Sequence, residues 1–113
     1  QNNAVLKNPN LLVYRENKPP WRLTADNGDY DMAEENLTFT QNVIIIRDEA
    51  QAKPWTLKTE SLTVLNKSRF ITTKQPVTIS DNTSILEGIG MNAWVDNKKI
   101  ELTSNVRGKY APE

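Results

Sequence analysis

Apolar residues in this chain recur at every second position rather than every third or fourth. Trp21, Leu23 and Ala25 alternate with Arg22, Thr24 and Asp26. Leu37 and Phe39 alternate with Thr38 and Thr40, and Ile100 and Leu102 with Glu101 and Thr103. Successive side chains of a strand point to opposite faces, so this period predicts strands with one apolar face. Many of the residues are Thr, Val and Ile, whose branched Cβ suits a pleated surface. The one stretch of helix-forming composition, residues 31–35, is too short to hold a helix alone.

Breakers cut the chain into strand-sized pieces: Pro9, Pro19-Pro20, Pro54, Pro76, Asp81-Asn82 and Asp96-Asn97. Laid over one another, three pieces repeat: Leu37-Thr-Phe-Thr-Gln-Asn-Val43, Ile71-Thr-Thr-Lys-Gln-Pro-Val77 and Ile100-Glu-Leu-Thr-Ser-Asn-Val106. Their final valines stand 34 residues apart (43 to 77) and then 29 (77 to 106). Each piece follows another alternating stretch, at residues 21–30, 55–64 and 85–95. Each repeat therefore reads as strand, turn, strand, with turns at 31–36, 65–69 and 96–99. A unit of this size cannot bury its apolar face alone and must stack on its neighbours. The alternative is chance likeness among Thr-rich strands. Asn27-Gly28 is a two-residue hairpin signal. The other repeats continue through that position, so we place it inside a strand, with Gly28 at a bulge or a close backbone approach.

The expected fold is all-β and antiparallel, a stack of hairpins with one apolar inner face and two unprotected edges. The last strand, residues 100–110, carries no proline before Pro112 and offers its backbone for strand addition. The inner face suits an acyl chain if the sheet halves splay into a groove. Otherwise it is the filled core of a β-sandwich.

Composition narrows the chemistry. Fourteen Lys and Arg balance fourteen Asp and Glu across 113 residues. A neutral chain gains little from counterion release, so no nucleic-acid partner is expected. With no His and no Cys, triads of Ser-His-Asp or Cys-His type, zinc sites built on those residues and disulfides are excluded. Asp26, Asp29, Asp31, Glu34 and Glu35 lack both the spacing of a calcium loop and a convincing paired-carboxylate geometry, and read as a solvated turn. No catalytic residue, metal or cofactor is expected, and the chain is not expected to be an enzyme. The sequons at Asn36, Asn66 and Asn82 fit turn chemistry, and Gly88-x-Gly90 is too short for a phosphate loop. Trp21 and Trp55, each after a proline, read as anchors at strand starts. Trp94 falls on the outer face if Met91, Ala93 and Val95 face inward, where it marks a contact surface. No apolar run approaches the ~20 residues of a membrane helix.

Three segments carry a family resemblance: Pro54-Trp-x-Leu-x-Thr-Glu, Ile85-Leu-Glu-Gly-Ile-Gly-Met-Asn-Ala, and the ending Ile100-Glu-Leu-Thr-Ser-Asn-Val-Arg-Gly-Lys-Tyr110. Together they resemble the LptC family, the periplasmic bridge components of Gram-negative lipopolysaccharide transport, over about residues 6–110. LptA and the amino-terminal domain of LptD share the repeat and fold, so an LptA-like protein is one alternative and a generic β-sandwich binding protein or carbohydrate is another. The resemblance implies a single β-jellyroll domain over residues 1–113, V- or boat-shaped and open at its ends. It implies acyl chains of lipopolysaccharide between the sheets, the carboxy-terminal edge on LptA and the amino-terminal edge on the inner-membrane LptBFG transporter. It also implies a periplasmic location with an inner-membrane anchor. The family's membrane helix and early strands are missing here, and the chain does not open on Met, so a periplasmic fragment is expected. On this reading the residues of inward parity line the lipid groove: Leu6, Leu23, Phe39, Ile45, Leu57, Phe70, Ile79 and Met91. Ile100, Leu102, Val106 and Tyr110 lie along the docking edge.

Overall fold

The computed structural model describes residues 3–15, 18–47, 54–97 and 99–110. They form nine strands: β1 (Asn3–Lys7), β2 (Asn10–Arg15), β3 (Lys18–Thr24), β4 (Asn27–Asp31), β5 (Asn36–Arg47), β6 (Trp55–Leu65), β7 (Phe70–Ser80), β8 (Ser84–Trp94) and β9 (Lys99–Tyr110). The described residues contain no helix. All nine strands belong to one antiparallel sheet, ordered β1-β4-β5-β6-β7-β8-β9, with β2 on β3 and β3 on β5. The fold is all-β and antiparallel, as the alternation predicts; the sheet does not close into a barrel, and the architecture is β-jellyroll-like, as the family resemblance implies.

What the alternation does not predict is that the long strands bend. Residues 36–40 of β5 pair with β4, and Ile44, Ile45 and Ile46 pair with β3. Between the two runs, Gln41 and Asn42 take φ of 68° and 55°, the left-handed region that Asn tolerates better than most residues. Opposite them, β3 and β4 act as one strand interrupted at Ala25-Asp26. The backbone Asp26 N–H donates to the Gln41 carbonyl (2.9 Å), and Asn42 Nδ2 donates to Asp26 Oδ2 (2.7 Å). β1 and β2 are likewise interrupted at Asn8-Pro9, with Asn8 at φ 49°. The register shifts again between Thr59 and Thr63, Thr73 and Pro76, and Glu87 and Ile89. Bulges kink a strand and increase its twist. Here they lie side by side across the sheet and fold it into two arms.

The internal repeat is this corner. Asn42, Pro76 and Asn105 sit at the interruption, and the valine that follows turns into the corner. Val43 and Val77 are buried, whereas Val106 is 53% exposed because β9 has no further neighbour. The strands therefore run on past these valines instead of ending there. Prolines expected to break strands lie within them. Pro19 and Pro20 belong to β3 before its pairing with β5 begins, and Pro76 stands at the β7 bulge; both settings tolerate a missing N–H.

The hairpin turns fall where the sequence places them, at residues 32–35, 66–69 and 95–97. Asp31 Oδ1 accepts the N–H groups of Ala33 and Glu34, so the carboxylate at the start of the acidic stretch organises a turn. Asn27-Gly28 lies in a strand, as expected. A Cβ on Gly28 would meet Pro9 Cγ at 3.1 Å, which makes it the close approach; the interruption lies just before it. Both arms contribute to the core: Phe39, Leu62, Ile71 and Met91 from one, Leu23, Val43, Ile45, Leu57 and Val77 from the other. Burying each of the larger side chains contributes roughly 1.5–3 kcal/mol.

Candidate functional site

The space between the arms is filled in its middle and open at one end. Leu23, Phe39, Ile45, Leu57 and Met91, all expected to line a groove, are at most 1% exposed. They pack on one another across the arms, so the continuous trough expected along the whole inner face is not present. Interiors pack to crystal-like density, and large β-branched and aromatic residues on both arms close the middle.

The opening lies beside the first strands. A cleft of about 420 Å³ is lined by Leu6, Leu11, Leu12, Val13, Tyr14, Tyr30, Leu37, Val64, Asn66, Arg69 and Val95. A second stretch of about 320 Å³ lies against Val5, Leu6, Lys7, Pro9, Asn10, Leu11, Leu37 and Phe39. The two share Leu6, Leu11 and Leu37 and form one apolar slot, walled by β1 and β2 on one side and by β5, β6 and the β8–β9 turn on the other. Of the eight expected lining residues, Leu6 and Phe39 border this slot. Ile79 is half-buried and packs against the core.

Phe70 is misplaced by the inward parity. Its neighbour Ile71 is wholly buried, so Phe70 faces outward. There it lies opposite Trp94, with ring centroids 5.1 Å apart. Trp94 is outward, as the parity of Met91, Ala93 and Val95 requires. The Lys99 ammonium also lies over its ring, at 5.1 Å from the centroid. Trp21 and Trp55 meet edge to face at 5.5 Å from β3 and β6, the strands that flank the end of β5.

Sequence reasoning missed Leu11, Val13, Leu37, Val64 and Val95 as slot residues. Residues 11–14 read as an unbroken apolar run, which has no parity to follow. Leu37 opens the first repeat and carried the signal, but nothing local marks it as lying beside a gap.

The sheet has two open edges. β9 pairs with β8 alone, and β1 and β2 pair only with β4 and β3. On β9, Ile100 and Leu102 are half-buried against the core, and residues 103–109 are exposed. Leu102 lies over Gly88, where a Cβ would meet Leu102 Cβ at 3.1 Å. Val106 is exposed; Tyr110 closes the ladder opposite Ser84, while its side chain lies outside the described residues.

Among the described residues no cluster of carboxylates is arranged to hold a metal. The best-organised carboxylate is structural. Asp81 Oδ1 accepts the backbone N–H groups of Thr83 and Ser84 (both 2.8 Å) and their hydroxyls in the β7–β8 turn. Those backbone bonds hold its pKa below the ordinary 3.8. No described helix is long and apolar enough to cross a membrane.

A family model described as "Lipopolysaccharide-assembly, LptC-related" matches residues 1–111. No curated protein matches the chain.

Proposed function

Because the chain belongs to the LptC-related family of lipopolysaccharide-assembly proteins, whose work is lipopolysaccharide transport, we propose that it shields acyl chains in the slot beside its first strands and passes them on edge to edge. The supporting observation is the slot itself, apolar, walled by both arms and bordered by Leu6, Leu11 and Leu37. Each methylene exposed to water costs about 0.8 kcal/mol, so several long chains do not cross an aqueous gap bare. An apolar wall continuous from one protein to the next lowers that barrier. Leu6 keeps the role the sequence suggested, and Phe39 forms the buried floor behind it. Leu23, Ile45, Leu57 and Met91 hold the arms together behind the slot.

Strand addition supplies the continuity. The free edge of β9 docks on LptA, and the β1–β2 edge meets the LptBFG transporter, where ATP is hydrolysed. The protein works in the periplasm, anchored to the inner membrane in its full-length form. A packed sandwich that binds protein or carbohydrate through Trp94 is the competing reading. It loses ground because that indole is already engaged within the chain, by the Phe70 ring and the Lys99 ammonium.

A photo-crosslinking residue at Leu6, Leu11 or Leu37 is expected to capture lipopolysaccharide, and one at the outward Thr38 or Thr103 is not. Equal capture at the outward positions overturns the slot. Displacement of a fluorescent lipid A by lipopolysaccharide is the solution counterpart, and a protein without an acyl site gives no signal to displace.

A further inference from the structure

The slot is apolar along its length but not at its ends. Among the described residues that line its two stretches, only Arg69 and Lys7 are charged at neutral pH; no Asp or Glu lines either stretch. Lys7 is exposed on β1. Arg69 is held in place: its Nε donates to Asp96 Oδ1 at 2.8 Å, and Nη2 donates to the Tyr14 carbonyl.

That carbonyl is free for a reason. Val13 pairs with Trp21 and Arg15 with Lys18, so the extra residue of this bulge lies on β3 and Tyr14 stands opposite Pro19 and Pro20, neither of which has an N–H to offer. With two prolines opposite it the Tyr14 carbonyl is left out of the ladder, and Arg69 reaches it from the β6–β7 turn on the opposite arm. The guanidinium is thus fixed at the slot's mouth, with its side chain 36% exposed. Two of its five N–H donors are used by these contacts. No other described residue accepts from the rest, which face an oxygen-rich anion arriving with a buried chain in the planar geometry that suits phosphate or carboxylate. Lys67, the other cation of that turn, is paired with Glu35 at 3.8 Å and does not line the slot.

We propose that the slot selects amphiphiles with an anionic headgroup, and that Arg69 is the residue that reads the charge. This rests on the reading of the slot as an acyl site and adds the polarity of what it accepts. Asp96 tunes the selection, since its carboxylate competes with the headgroup for the same guanidinium.

The test compares two probes of equal chain length, dodecyl phosphate and dodecylphosphocholine, by displacement of a fluorescent acyl probe from the intact protein. The wild type is expected to favour dodecyl phosphate by about fivefold, the scale of a partly exposed charge-assisted contact. Arg69→Gln is expected to bring the ratio of the two affinities close to one, Arg69→Lys to keep part of the preference, and Asp96→Asn to raise it. The ratio is the readout because loss of the strap to Tyr14 changes both affinities together, and near-ultraviolet circular dichroism checks that each variant is folded. Inorganic phosphate alone is expected to displace nothing; displacement by it would remove the headgroup from the proposal. If the wild type binds both probes equally, or Arg69→Gln leaves the ratio unchanged, the selection by Arg69 is overturned while the slot stands. If neither probe binds, the slot itself is overturned.

Discussion

The hydroxyl of Thr73 donates to the carbonyl of Ser61 at 2.5 Å, across the line where the sheet folds. The same hydroxyl accepts the N–H of Gln75, and Thr59 returns the bond from the other strand, donating to the Pro76 carbonyl at 2.9 Å. The bulges on β6 and β7 remove backbone groups from the ladder, and a buried carbonyl without a donor is costly. Threonine meets both demands, since its branched Cβ suits the strand while its hydroxyl supplies the missing partner.

Replacing Thr73 by Val keeps the shape and removes the hydroxyl. Thr73→Val is expected to destabilise the fold by about 1–3 kcal/mol, because the Gln75 N–H loses this partner and the Ser61 carbonyl keeps only the long Thr59 hydroxyl contact at 3.4 Å. Thr59→Val is expected to cost less, with one strong bond lost. Urea unfolding of both variants measures this, and an unchanged midpoint for Thr73→Val would show that the bend does not depend on its side-chain bonds.

Gly90 is the other requirement of the corner. Its φ is +84°, and a Cβ there would stand 2.1 Å from Thr103 Oγ1, which itself donates to the Ile89 carbonyl at 2.8 Å. Gly90→Ala is expected to cost about 2 kcal/mol or more through left-handed strain and the collision together. In a Thr103→Ala background the collision disappears and the strain remains. The cost of Gly90→Ala is then expected to fall to about 1–2 kcal/mol. Equal costs in the two backgrounds would place the whole penalty in the backbone.

The sequence shows the strands and hides the corner. Period two, the three hairpin turns and the close approach at Gly28 are local properties, set by the pleat and by turn residues such as Asp31. The bend depends on bulges lining up across the sheet, a relationship between residues as far apart as Asn8 and Asn105. Its trace in the sequence, the Asn or Pro before Val43, Val77 and Val106, was visible as a repeat while its meaning was not. The site was half legible for the same reason. Parity sorts inward from outward residues, so it reaches Leu6 at the candidate slot and Phe39 at its buried floor. Parity cannot say where facing side chains fill the gap, which is why Leu23, Ile45, Leu57 and Met91 turned out to be sealed. Phe70 failed on parity alone, one residue out of phase with Ile71.

Asp81 sets an acid limit on the β7–β8 turn. Its folded pKa lies below the unfolded value near 3.8, held down by the Thr83 and Ser84 N–H groups. The stabilisation is therefore complete above the unfolded pKa and is lost as pH falls from there through the folded one. Asp81→Asn keeps an acceptor but carries no charge. It is expected to be less stable than wild type at pH 7 and to show a shallower loss of stability on acidification below the unfolded value. Urea midpoints taken across that range test this, and parallel curves for the two proteins would remove Asp81 from the pH response.

The β9 edge makes the sharpest demand, because structure and docking can be separated along one strand. Ile100 and Leu102 pack on the core, and Leu102 covers Gly88, so cutting before them would expose the interior. Residues 105–109 are exposed and bury little. A chain ending at Ser104 is expected to keep its fold, with a melting temperature lowered by only a few degrees. On the proposed docking it is also expected to lose binding to LptA, because half of the free edge proposed to add to the partner's sheet is gone and strand addition draws its affinity from main-chain hydrogen bonds. Surface plasmon resonance against immobilised LptA reads the second quantity and thermal unfolding the first. A truncated chain that melts near the wild type and binds LptA as tightly would move the docking surface off β9.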